Sequence, residues 1–189
     1  QPGAEAPPAD EKRSEAAAEP AETAGGGQPA TEMPAPPEPW EVVEADALPQ
    51  SAKARLMEAQ KAKKTLGQNL MGELTAAIKG GDFARGVEAC KTAAPKVAKT
   101  VSEQYDVEVG RTSFKVRNPD NRPRDWAAPF VEARVTEDVV LTGPDRTVAY
   151  LSPIKMSDVC LNCHGAADQI PAEVATMLGQ VGIGLIALI

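Results

Sequence analysis

An α+β domain, with an antiparallel sheet packed against helices, is the fold class this sequence predicts, and three observations predict it. From Ala45 to Gly80 the apolar residues Leu66, Leu70, Leu74 and Ile78 recur every four positions, which is a helical period. Between Val107 and Val116, and again from Arg146 to Ile154, the period shifts to the alternation expected of strands. From Trp40 onward about 150 residues remain, the usual size of one hydrophobic core. No internal repeat divides them.

The first stretch, residues 1–40, is of another kind. Residues 1–39 contain no Val, Leu, Ile, Phe, Tyr or Trp, and Ala, Pro, Glu and Gly dominate. Such a segment cannot bury enough apolar surface to offset the entropy of ordering it. It holds eight acids against two bases, a balance of −6, so nearly all of the chain's formal charge of −7 lies there and residues 41–189 are close to neutral. An Ala/Pro/Glu-rich extended tether over 1–40, followed by one folded domain over 41–189, is the expected organisation. No basic stripe is present and the acidic tether would repel phosphate, so nucleic acid is excluded as a partner.

Within the domain, the first helix is expected from Ala45 to Gly80, with Lys53, Arg55, Lys61, Lys63 and Lys64 on its other faces. Gly80-Gly81 breaks it. Asp82 then caps a second helix that carries Phe83, Val87, Cys90, Val97 and Val101 on its apolar face. Val107, Val109, Phe114 and Val116 read as strand positions, interrupted at Arg111, Thr112 and Ser113. Arg117-Asn118-Pro119-Asp120-Asn121-Arg122-Pro123 is a turn cluster. A second strand over Arg146–Ile154 is entered through the turn Gly143-Pro144-Asp145. A short helix is expected over PAEVATMLG, and the terminal VGIGLIALI, too short to span a bilayer, reads as a buried last strand. Met57 and Met71 read as core filler.

Cys160, Leu161, Asn162, Cys163 and His164 spell C-x-x-C-H, the attachment signature of a c-type haem. Two thiols three positions apart can each add to a haem vinyl group, and the imidazole that follows supplies the proximal iron ligand. Zinc is the main rival, because Cys90, Cys160, Cys163 and His164 make a complete Cys3His set. A histidine directly after the second thiol, however, points away from the tetrahedron those thiolates begin. A dithiol or disulfide is the remaining alternative.

His164 is the only histidine, so the second axial ligand is not imidazole. Cys90, the odd cysteine on a helix face turned to the core, is the first candidate; Met177 is the second, and an open site the third. Cys90 also reads simply as a small buried hydrophobe. Arg111, Arg117, Arg122 and Arg124 are candidate partners for haem propionates, with Lys155 a weaker one. An equally simple reading makes them a solvated face.

Four stretches carry a closer likeness: AIKGGDFARGVEACKTAAPKVA, GRTSFKVRNPDNRPRDW, AYLSPIKMSDVCLNCHG and ADQIPAEV, which together cover most of residues 75–175. In these the chain resembles the Tll-type c-haem domain family. That resemblance implies a PAS-like fold, one covalent haem c, and a distal cysteine ligand from a C-x4-P stretch, here Cys90 with Pro95 at the matching spacing. It departs from the family at its end, where Leu178-Gly179-Gln180 runs directly into VGIGLIALI and the acidic, Gly- and Tyr-containing loop is missing. The closing edge of the sheet is therefore expected to be shortened, differently paired or cut off.

The resemblance implies a non-catalytic redox or gas sensor with His164/Cys90 ligation. Thiolate ligation lowers the iron potential relative to Met/His ligation, which suits sensing better than high-potential electron transfer. The alternative is an electron-transfer or accessory cytochrome tethered to a membrane respiratory or photosynthetic complex; in the sensing case the partner is a signalling protein. Peroxidase chemistry fits poorly, since no second histidine is present to assist as acid or base. A chain that begins at Gln1 fits an export segment already removed, and a periplasmic location, with membrane contact through an N-terminal tether or a partner, is expected.

Overall fold

A hairpin of two long helices forms the spine of the computed structural model, which describes residues 33–116, 118–166 and 168–180. The first helix, α1, spans Gln50–Ala77, and the second, α2, spans Phe83–Tyr105. Residues 45–47, expected to begin the helix, form a separate 3-10 turn. The reason is Pro49, which holds Leu48 extended (φ −64°, ψ 143°) and so delays the start of α1. Gly80 and Gly81 both adopt positive φ, 87° and 88°, a conformation that side chains disfavour, and they reverse the chain within a few residues. Asp82 caps α2 as predicted, its Oδ1 accepting from the Arg85 amide at 3.0 Å.

The helices lie antiparallel because their apolar stripes match. Ala62, Leu66 and Val101 are buried between them with Leu70, Val97, Ala98 and Tyr105 alongside, and Thr65 and Tyr105 share a hydroxyl hydrogen bond of 2.8 Å. At the turn end the contact is closer still. A Cβ at Gly86 would lie 2.7 Å from Ile78 Cγ2, so the absence of a side chain there lets α2 approach α1. Met57 and Met71, expected in the core, instead lie on the outer face of α1, 56% and 41% exposed. The α1 positions buried against α2 are taken by Ala62 and Leu66.

A three-stranded antiparallel sheet packs beside this hairpin in the order β1-β2-β3. Its strands are β1 (Glu41–Val42), β2 (Val139–Thr142) and β3 (Val148–Leu151). Val140 pairs with Tyr150 and Leu141 with Ala149, while Val42 pairs with Leu141 on the other side. β3 is the strand expected within Arg146–Ile154, and the turn through Pro144–Arg146 joins it to β2. Below the sheet a short helix, α3 (Ala128–Glu132), contributes Phe130 to a core of Val135, Val139, Leu141 and Ala149, with Trp40 and Trp126 at its margin. The rings of the two tryptophans are 5.6 Å apart.

The alternation from Val107 to Val116 does not produce a strand. Val107 and Val109 alternate because one side of an extended segment packs on the α1–α2 cluster. The amide of Val109 donates to Ser102 Oγ at 3.1 Å, and that of Lys115 donates to Ser113 Oγ at 3.1 Å, so side chains take bonds that a strand would give to its neighbour. Beyond it, the predicted turn cluster contains a 3-10 turn at Pro119–Asn121, with Asn118 Oδ1 accepting from the Asp120 amide. The last two helices among the described residues are α4 (Asp158–His164) and α5 (Ala172–Gln180). The expected terminal strand, the first 32 residues of the expected tether and Arg117 lie outside the described residues.

One polar cluster braces α1 against the sheet. Asp138 accepts from Tyr150 at 2.6 Å and from Ser152 at 2.5 Å, and the Lys63 ammonium lies 5.9 Å from the centre of the Tyr150 ring. Partial burial pushes the Asp138 carboxyl up, but the bonds from Ser152 and Tyr150 and the charges of Lys63 and Lys155 outweigh it and hold the pKa below its ordinary value. Burial, and then the bond to Asp138, raises the Tyr150 phenol. A carboxyl depressed in the folded state contributes stability that is present above its unfolded pKa and lost as pH falls through the folded one. A raised phenol makes the folded state less stable as pH climbs past about 10, because only the unfolded chain then sheds the proton. In urea titrations the advantage of wild type over Asp138→Asn is expected to shrink below about pH 4. Tyr150→Phe is expected to flatten the alkaline limb above about pH 10.

Candidate functional site

The C-x-x-C-H pentapeptide folds as the second half of α4, which starts after Ser157 in extended backbone. Positions 160, 163 and 164 stand in i, i+3, i+4 relation, so both thiols and the imidazole share one helical face. All three residues are half-buried. Ser157 Oγ lies 3.3 Å from the Cys160 sulfur, and the Asn162 amide donates back to Val159 O at 3.2 Å. The helix ends at Gly165, whose amide donates to Leu161 O at 2.9 Å. A Cβ at this position would lie 2.5 Å from that same carbonyl oxygen, so the residue that follows His164 has to be glycine for the turn to close this tightly.

Three helices meet at this face. Cys163 packs on a cluster of Val87 from α2 and Ile170, Val174 and Leu178 around α5, joined by Phe83 and Met177. Cys90 sits on α2 about one turn beyond Val87 and is half-buried, on the apolar side of its helix as predicted. Pro95, inside α2, has no amide to give and so frees the Lys91 carbonyl, the one that follows Cys90. No disulfide joins Cys90, Cys160 and Cys163. Among the described residues no three His, Cys, Asp or Glu side chains converge as a metal-holding group.

The arginines named from sequence separate. Arg111 is half-buried, and burial lowers its pKa while the charge of Cys90 acts in the opposite direction. Arg124 is paired with Glu108, and Arg122 is exposed. Lys155 is exposed and bears instead on Asp138. Two neighbours of Arg111 were not named as site residues. Thr112 Oγ1 is shielded from solvent with no hydrogen-bond partner among the described residues, and Ser113 is 3% exposed. The signal was the interruption itself: R-T-S breaks an apolar alternation where solvent-facing polar residues would have continued it.

The donor set and its surroundings fit a covalently attached haem. Thiols on one helical face can form two thioethers, the adjacent imidazole can ligate iron, and the apolar cluster at Cys163 suits a porphyrin edge. His164 Nδ1 is shielded from solvent. Met177 packs on the cluster where α2, α4 and α5 meet and Cys90 lies on α2 one turn past Val87 of that cluster, and both stay candidates for the opposite ligand.

Fold and site thus define a mixed domain in which a helical hairpin and a small antiparallel sheet present a C-x-x-C-H helix. The chain belongs to the Tll0287-like family, whose model matches residues 39–185. No curated protein and no solved structure matches it.

Proposed function

We propose that this protein is a monohaem c-type cytochrome domain of PAS-like fold that senses redox state or a diatomic gas outside the cytoplasm. His164 and Cys90 are its axial ligands. The observation that carries this reading is the placement of Cys160, Cys163 and His164 on one face of α4, with Cys90 on the half-buried face of the neighbouring α2. A haem held there would supply a one-electron centre that changes its affinity for ligands with oxidation state.

What the chain contributes is placement. Cys160 and Cys163 tether the group, His164 is fixed beside them by the helix end at Gly165, and the apolar cluster of Val87, Val174 and Leu178 excludes water from one edge. Cys90 is mounted on a 23-residue helix. A change in its bond to iron therefore bears on an element packed along α1, and such a two-position element is what a switch requires.

Visible spectra of oxidised and reduced protein test this. Wild type is expected to change its ligand signature on reduction, Cys90→Ser to lose the ferric thiolate signature, and Met177→Ala to match wild type in the ferric state. Spectra of wild type and Cys90→Ser that coincide in both states would overturn the assignment.

A further inference from the structure

We propose that the outer face of α1 is a docking surface for the chain's own acidic segment 1–32, which lays its carboxylates along a stripe of lysines and methionines: Lys53, Met57, Lys61, Lys64 and Met71. This contact does not depend on the haem reading.

The stripe follows from helix geometry. Its positions, with Gln68 between Lys64 and Met71, succeed one another at intervals of three or four and so share one side of α1. That side is turned from Ala62 and Leu66, which are buried against α2. Met57 and Met71 are 56% and 41% exposed, Lys61 and Lys64 are exposed, and Lys53 is half-buried. Glu58 and Glu73, the acids of α1, fall off the stripe, Glu58 at its edge, where it accepts from Lys61 at 2.8 Å. Two large apolar side chains left in water between ammonium groups distinguish this side from an ordinary solvated helix face.

Charge names the occupant. From Gln50 to Tyr105 the hairpin holds ten Lys and Arg against five Asp and Glu, a balance of +5, whereas residues 1–49 and 106–189 are both net acidic. Residues 1–32 hold seven acids against two bases, a balance of −5, with no bulky apolar side chain to draw them to another surface. Their reach is sufficient. Val43, Leu48 and Leu56 share one cluster, so the chain ahead of α1 runs beside its first turns. Lys53 and Met71 are about 27 Å apart along the axis, and a segment of this length spans roughly 30 Å even as a coil. Attachment holds the local concentration near the millimolar range, so exposed ion pairs too weak to hold a separate molecule suffice. Because α2 packs on the other side of α1, a partner that reads the hairpin from outside has to displace this segment first.

The test is zero-length carbodiimide cross-linking of the full chain as purified, dilute and at low ionic strength, with the joined peptides mapped by mass spectrometry. Amide links from acids of residues 1–32 to Lys53, Lys61 and Lys64 are expected in the monomeric product. They should fall several-fold at about 0.5 M salt, where charge acts over only a few ångströms. Lys61→Glu combined with Lys64→Glu is expected to lose the links at Lys53 as well; both residues are exposed, and circular dichroism checks that the helix is retained. With Glu5→Gln, Glu11→Gln, Glu15→Gln, Glu19→Gln and Glu22→Gln together, acetylation of Lys53, Lys61 and Lys64 should quicken about threefold, while that of the exposed Lys115 and Lys155 stays as in wild type. Links spread equally over Lys115 and Lys155, links insensitive to salt, or unchanged acetylation would overturn the inference. Products found only as dimers would give the stripe to a second copy, and phosphatidylglycerol vesicles bound as well by wild type as by the neutralised form would give it to a lipid surface; either result overturns it too.

Discussion

Replacing Cys160 and Cys163 together with alanine is expected to leave a chain that carries no covalent haem, and this is the largest functional effect of any pair of substitutions in the molecule. The measurement is a haem stain on protein denatured in reductant and separated by electrophoresis: strong for wild type, absent for the double variant, and reduced but present for each single variant. The reason is stoichiometric, since each sulfur can form one thioether and no other cysteine lies on α4. Folding should survive. Cys160 is half-buried and touches Ser157, and Cys163 only borders its cluster, so truncation leaves at most a small cavity worth about 1 kcal/mol. Helical circular dichroism close to wild type would therefore accompany the loss. Stain that persists in the double variant would end the haem c assignment, and zinc released on denaturation, with no stain in wild type, would favour the Cys3His alternative.

The parts of this molecule that were legible in sequence are those whose stabilising partners are local. The stripe Leu66, Leu70, Leu74 and Ile78 announces α1, the pair Gly80-Gly81 announces its end, and Asp82 announces α2, because period, positive φ and capping act within a few residues. The C-x-x-C-H face was legible for the same reason: a helix of any origin puts those three side chains together. β2 escaped notice because Val139, Val140 and Leu141 are buried on both faces in mid-sheet and so show no alternation. Val107–Val116 failed in the opposite sense. It alternates because it packs on a helix, and alternation reports a buried side rather than a hydrogen-bonded neighbour.

At the site, four arginines in one stretch looked alike in sequence. Only the fold tells them apart. Arg124 finds Glu108, sixteen residues away, whereas Arg111 is half-buried and Arg122 exposed. Charge pairing over such separations is decided by where the backbone goes, and the backbone there is set by Val107 and Val109 docking on α2. The exposed Met57 and Met71 make the same point for packing, since their apolar character alone does not say which face of α1 is covered.

Phe130→Ala is expected to produce the largest loss of stability. Phe130 is fully buried at the centre of the sheet core, in a cluster with Val135, Val139, Leu141 and Ala149. Truncation of a buried phenylalanine costs roughly 3–5 kcal/mol, a large part of the 5–15 kcal/mol typical of a whole domain. For a domain near 150 residues this corresponds to a fall of roughly 6–20 °C in melting temperature. Met57→Ala, on the exposed side of α1, should stay within about 0.5 kcal/mol and serves as the comparison. The consequence for the site depends on how the cores are coupled. The Phe130 cluster supports β2 and β3, and β3 leads through residues 152–157 into α4, whereas Cys163 rests on a separate cluster from α2 and α5. If the domain unfolds as one unit, the haem absorbance and the helical signal of Phe130→Ala should melt together at the lowered temperature. If the haem band instead keeps its wild-type midpoint while the helical signal falls early, the sheet core and the α2–α4–α5 cluster are independent units, and movement at Cys90 would have to reach a partner through the helical hairpin alone.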